Sequence, residues 1–281
     1  SGMSAVAFQG KNAMYTIDES GRIYCSEIKQ GRFSTARHVG SAPLHCEDPK
    51  LAVGQNRMFF LASGSETQPP KLLSAEIEPK RKIGKWTSVS LPEPNLSFKH
   101  LWIEEDRLFL VSEDGDQPIL FSTAIAEETG IRDWKHVADL PAGAHVESTA
   151  TSGERCYIAS RAAGSEMVDL LSVALDKSRV VSRMGRVKEI NGQSSLVCES
   201  GRMILLDGGD MPGRAQIHVA QLAQDGRLSS WTTRQADFHA VLNSASGIVV
   251  NERVLFAGRN GSNRGRQISI SSYSTELPAA S

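Results

Sequence analysis

The sequence predicts an all-β protein, a β-propeller of six four-stranded antiparallel blades. Three observations carry that reading. A hexapeptide alternating large apolar with small or polar residues recurs six times: IYCSEI from Ile23, LLSAEI from Leu72, LFSTAI from Leu120, LLSVAL from Leu170, IHVAQL from Ile217 and ISISSY from Ile268. The steps between copies are 49, 48, 50, 47 and 51 residues. A second apolar run stands upstream of every copy, and three copies are followed by a tryptophan at one equivalent place: Trp86, Trp134 and Trp231.

Each repeat resolves into four strands, a to d, in chain order. Strand a is weak: AVAFQ, KLAVG, HLWIE, ESTAT, SLVCE and SGIVV. A polar pair follows, from Lys11-Asn12 in the first repeat to Asn251-Glu252 in the last. Strand b is then a dense run of β-formers, AMYTI, RMFFL, RLFLV, RCYIA, RMILL and RVLFA, so a and b form a hairpin. Strand c is the hexapeptide, whose period of two marks a strand. Strand d comes after a glycine or polar turn, as in GKWTSVSLP and RDWKHVADLP, and carries the tryptophan as a packing residue between blades; Phe33 and Val181 fill that place in repeats one and four.

One four-stranded unit cannot bury both of its faces, whereas a ring buries each sheet between its neighbours. The blades are expected at about 4–44, 45–95, 96–143, 144–192, 193–239 and 240–275, in a single domain over 4–275. The sixth stops after strand c, since only Ser274 to Ser281 follow ISISSY. Ser1-Gly2-Met3 reads as a cloning remnant, which leaves a removed signal peptide open, so the compartment is either cytoplasmic or secreted.

Composition narrows the function classes. Apolar residues make up 40%, enough for a sizeable core, and 31 basic residues nearly cancel 32 acidic ones. A dedicated nucleic-acid binder normally carries net positive charge, so none is expected as partner. No apolar run is long enough for a membrane-spanning helix. The four scattered cysteines, Cys25, Cys46, Cys156 and Cys198, form no C-x-x-C pair and read as buried free thiols.

The repeat resembles the kelch-like class of propeller. The likeness is clearest over Gly201 to Gly258, where RMILLDGG resembles that family's strand b ending in a glycine pair, here Gly208-Gly209. AQLAQDGRLSSWTT resembles its strand c, turn and tryptophan; Leu91-Pro92 and Leu140-Pro141 resemble the Leu-Pro that follows. Elsewhere the glycine pair becomes Ser63-Gly64, Glu113-Asp114 or Arg161-Ala162. The resemblance implies a fold, and the class spans adaptors, oxidases and epimerases, so it does not fix an activity. The sialidases are a rival six-bladed family, but their Ser-x-Asp-x-Gly-x-x-Trp boxes are absent here.

The long b–c loops, such as DGGDMPGRAQ and AGRNGSNRGRQ, share one face with the d–a loops, and binding residues concentrate on loops carried by a rigid scaffold. Candidate ligand-binding residues on that face are Arg259, Arg264 and Arg266, joined by Arg214. Their planar forks suit carboxylate or phosphate. A second, acidic set comprises Glu47, Asp48, Glu113, Asp114 and Asp116, which general acid–base chemistry could use, although EDGDQP lacks the bidentate glutamate of a calcium loop. His45, His100, His145 and His239 near the entry to strand a read as structural rather than metal-binding. Neither G-x-S-x-G nor GxGxxG nor a P-loop is present, and all four tyrosines lie on strands b or c, away from an oxidase site.

The expectation is therefore a non-catalytic propeller that binds a protein or glycan through the b–c/d–a face, with no cofactor, no metal and no assigned catalytic residue. The alternative is a carbohydrate-active enzyme, sialidase-like or epimerase-like, working at the channel mouth.

Overall fold

The computed structural model describes residues 5–54, 56–64, 68–112, 117–126, 130–162, 164–176, 180–187, 190, 194–209, 213–236, 242–260 and 270–276, with backbone alone at 242–245, 258–260 and 270–276. The chain divides into two compact units, Ser1–Asp139 and Leu140–Ser281.

The first unit holds three antiparallel sheets. Sheet 1 contains β1 (Ala5–Gln9), β2 (Ala13–Ile17), β3 (Arg22–Lys29), β4 (Arg32–Phe33) and β5 (Arg37–Ser41). Sheet 2 contains β6 (Lys50–Gly54), β7 (Arg57–Ala62), β8 (Lys71–Glu76) and β9 (Thr87–Val89). Sheet 3 contains β10 (Phe98–Glu104), β11 (Arg107–Ser112), β12 (Ile119–Ala126), β13 (Gly130–Ile131) and β14 (Lys135–Asp139).

The second unit also holds three. Sheet 4 contains β15 (Ala144–Ser152), β16 (Arg155–Ala162), β17 (Val168–Ala174) and β18 (Val181–Val187). Sheet 5 contains β19 (Ser194–Glu199), β20 (Arg202–Asp207), β21 (Gln216–Gln221) and β22 (Thr232–Gln235). Sheet 6 contains β23 (Leu242–Val250), β24 (Arg253–Asn260) and β25 (Ile270–Glu276). Among the described residues no helix is long and apolar enough to cross a membrane.

The blades are less uniform than expected. Five sheets carry the full a-to-d complement, and the last has three strands among the described residues. In sheets 1 and 3 strand d is broken in two. The break in sheet 1 falls at Ser34, whose hydroxyl accepts the Glu27 amide (2.8 Å) while its own amide donates to the Glu27 carbonyl (2.8 Å). A side chain thus replaces one rung of the ladder, a competition typical of serine. The tryptophans need a smaller correction. Trp86 and Trp231 stand one residue before strand d, and Trp134 stands in its break, one residue before β14.

Cores lie between neighbouring sheets of each unit. Strand b shows why its sequence is so densely apolar: Phe60 packs with Tyr15, Ile17 and Ile23 of sheet 1, while Phe59 packs with Phe98, Leu108 and Leu110 of sheet 3. A strand buried on both faces has no polar alternation to keep. Trp86 donates its indole N–H to the carbonyl of Ser41 (3.0 Å), and Trp134 donates to that of Ser90 (2.8 Å), tying each sheet to the one before it. Buried indoles normally find such a partner.

A second repeated contact joins strands b and c. The arginine that opens strand b donates to a buried strand-c serine: Arg57 to Ser74 (3.4 Å), Arg107 to Ser122 (2.9 Å) and Arg155 to Ser172 (2.8 Å). In sheet 1 the arginine's place is taken by Ala13, and the serine's by Cys25. All four cysteines are free, and burial pushes the Cys46 thiol up to about 11.

Candidate functional site

The b–c/d–a end of the sheets is where the sequence points. Arg214 is exposed between β20 and β21. Arg259 lies in β24, described as backbone alone, and Arg264 and Arg266 lie outside the described residues, as do Glu113, Asp114 and Asp116. Glu47 and Asp48 are exposed before β6, where Asp48 pairs with Lys50 at 2.8 Å. His45 is exposed, His100 sits in β10 and His145 in β15, and His239 lies outside the described residues. The described residues contain no group of three or more His, Cys, Asp or Glu that could hold a metal ion.

What the structure brings together at this end is a set the sequence leaves unmarked, between sheets 4 and 5. Its centre is Glu147. The register of β15 against β16 shifts between Val146 and Ser148, so Glu147 is the extra residue of a β-bulge. A bulge re-aims a side chain that a regular strand would hold in alternation. The redirected carboxylate takes a fork from Arg161 at the end of β16, Nε to Oε1 and Nη2 to Oε2, the latter at 3.3 Å. Ser194, the first residue of β19, donates its amide (3.1 Å) and its hydroxyl (2.5 Å) to Oε2. Arg161 also donates to the carbonyls of Ile190 (3.0 Å) and Ser165 (3.5 Å).

Burial gives this network weight. The Glu147 and Arg161 side chains are 14% and 19% exposed, so solvent screens the pair little. Charge-assisted bonds of a bidentate arginine are about twice as strong as neutral ones. Four donors converge on the carboxylate, three on Oε2 and one on Oε1. The cluster can hold two sheets in register and position neighbouring loops.

Deeper in sheet 5, Asp207 faces Ser194 across the ladder and is fully buried. Its Oδ1 accepts the Gly209 amide at 2.9 Å. Gly209 has φ 69°, a conformation that glycine adopts without strain, and the glycine pair thereby folds back over the carboxylate. His218 is buried beside it, with Nδ1 on the Thr233 hydroxyl (2.9 Å) and Nε2 without a hydrogen-bond partner among the described residues. Burial lowers the His218 pKa, and the Asp207 charge opposes this in part. Asp207 was visible in sequence only as the residue before a glycine pair, and Arg161 only as a departure from one.

Comparison with known proteins follows the fold. No protein-family model and no curated protein matches the chain. Among solved structures, the protein YjhT aligns over 96% of this chain and 97% of its own, at 10% identity and TM-score 0.61. The Trypanosoma rangeli sialidase in complex with the inhibitor DANA aligns over 95% of this chain and 54% of its own, at 10% identity and TM-score 0.61. The same sialidase with a difluoro-KDN ligand gives 12% identity and TM-score 0.59, over 95% and 52%. The chain spans about half the length of the sialidases. At these identities the likeness speaks for fold alone: the chain has the all-β propeller fold.

Proposed function

We propose that this chain is a glycan-binding propeller that engages an acidic sugar at the b–c/d–a edge and does not transform it. The observation that carries this reading is the Arg161–Glu147–Ser194 network, a half-hidden carboxylate held by four donors that fastens the edges of two sheets together. Arg214, Arg259, Arg264 and Arg266, the arginines that the sequence assigns to this face, would then supply the guanidinium groups for a carboxylated ligand, a task suited to their planar forks. The finer architecture belongs to the same proposal: a single kelch-like domain over 4–275, in which five of the sheets carry the full a-to-d set among the described residues.

A second reading, a carbohydrate-active enzyme, is favoured by the shared fold with sialidases. The two separate in one pair of assays. Arrays of sialylated and uronate-bearing glycans should retain the protein, and the Arg264→Ala/Arg266→Ala double variant should lose that retention at an unchanged melting temperature. A fluorogenic sialoside should remain intact. Steady turnover of the sialoside would replace binding with catalysis, and retention by the double variant would rule out those arginines.

A further inference from the structure

At the other end of the strands, where the a–b and c–d turns lie, sheets 1 and 2 border an open depression of about 750 Å3. Sheet 1 contributes Gln9, Asn12, Glu27 and Arg37; sheet 2 contributes Asn56 and the turn Pro79–Arg81. The repeat itself explains why space opens here. In sheet 2, Arg57 fills the start of strand b and pairs with Glu76 at the end of strand c (3.3 Å). In sheet 1 the register places Ala13 opposite Glu27, so that arginine is missing.

Guanidinium groups arrive from elsewhere. Arg81, from the neighbouring sheet, donates to Gln9 (2.6 Å) and to the Tyr15 hydroxyl (3.3 Å) and stands 3.8 Å from Glu27. Arg37 approaches Glu27 only to 4.0 Å and donates Nη2 to the Lys80 carbonyl (3.1 Å). Its Nε and Nη1 make no hydrogen bond to the described residues, and its side chain is 51% exposed. Lys80, Asn12 and Asn56 are exposed, and their side chains likewise make none. Lys80 and Arg81 both have φ 61°, a left-handed conformation uncommon for non-glycine residues.

We propose that this depression is a second ligand site, for a small polar molecule carrying an oxyanion, a carboxylate or a phosphate, with hydroxyl groups beside it. Arg37 and Lys80 supply the fork and the point charge for the oxyanion. The Asn12 and Asn56 amides and the Glu78 carboxylate meet the hydroxyls, since each can pair with donors or acceptors of a sugar ring. Apolar ligands find little here: the only large apolar residues of the lining are Ile77 and Pro79.

Titration of the full chain with glucuronate, inorganic phosphate and glucose, followed by calorimetry, tests the site. Glucuronate or phosphate should bind saturably, glucose at least tenfold more weakly, and Arg37→Ala should lower the affinity of the anion at least tenfold. Stronger glucuronate binding assigns the oxyanion to a carboxylated sugar; stronger phosphate binding assigns it to a phosphate. If Arg37→Ala unfolds, Lys80→Ala carries the same comparison with a severalfold loss. Absence of binding by both anions, glucose binding as tight as glucuronate, or variants that bind like the parent would overturn the proposal. Glycan-array retention of Arg37→Ala should match that of the parent, so this site and the opposite edge are judged separately.

Discussion

Two guanidinium clasps join neighbouring sheets, and they are built in opposite ways. Between sheets 4 and 5, Arg161 and Glu147 meet as a buried fork whose remaining valences go to Ser194 and two backbone carbonyls. Between sheets 1 and 2, Arg81 and Arg37 surround Glu27 at 3.8 and 4.0 Å, in partial solvent, on a turn with two left-handed residues. The first clasp directs four arginine donors, and the Ser194 amide and hydroxyl, onto the protein itself. The second keeps donors in reserve. A closed network buys positional precision, and an open one leaves room for a ligand.

That contrast can be broken by measurement, and the largest effect belongs to the closed clasp. Glu147→Ala leaves the Arg161 charge buried and unpaired, so urea denaturation should show a loss of about 3–5 kcal/mol. The Glu147→Leu/Arg161→Met double variant should recover most of it, because removing both charges also removes their desolvation cost. If Glu147→Ala costs no more than a surface substitution, the two clasps are equivalent and the comparison fails.

The strained turn gives the next effect, in the opposite direction. A non-glycine residue in the left-handed region costs roughly 1–2 kcal/mol, so Lys80→Gly should raise the unfolding free energy in urea denaturation by about 1 kcal/mol. Ser172→Ala, which takes the acceptor from Arg155, should cost about 1 kcal/mol in thermal unfolding. Glu27→Ala should leave the midpoint unchanged within error, since its ion pairs are exposed to solvent and screened.

The buried histidine sharpens the comparison through pH. His218 has a folded pKa below its ordinary 6.5, so the unfolded chain takes up the proton first as pH falls. Its contribution to stability is complete above about 6.5 and is lost as pH drops from there through the folded value. Melting temperatures recorded from pH 7.5 to 5 should therefore fall less steeply in His218→Gln. Equal slopes would mean that burial near Asp207 does not govern this histidine.

The fold was legible because its signals are local and repeated. The two-residue a–b turns fall where polar pairs were read, with Glu105, Ser200, Asn251 and Glu252 all at positive φ. The candidate site was not legible, for the opposite reason. Glu147 belongs to it through a shift in register, which composition does not encode, and Ser194 reaches it from another sheet. In the sequence Arg81 is one of four basic residues from Lys80 to Lys85, with nothing local to single it out. Its importance comes from Ala13, a residue distant in sequence, standing where a sister strand has arginine.

The indole-to-carbonyl bonds carry a consequence for synthesis. The Ser41 carbonyl is satisfied by a tryptophan 45 residues later in the chain, and Ser90 by one 44 residues later. At roughly 5–20 residues per second, each sheet leaving the ribosome waits about two to nine seconds for the residue that completes its edge. Along the first unit assembly is thus vectorial, with sheet 1 finished by sheet 2 and sheet 2 by sheet 3.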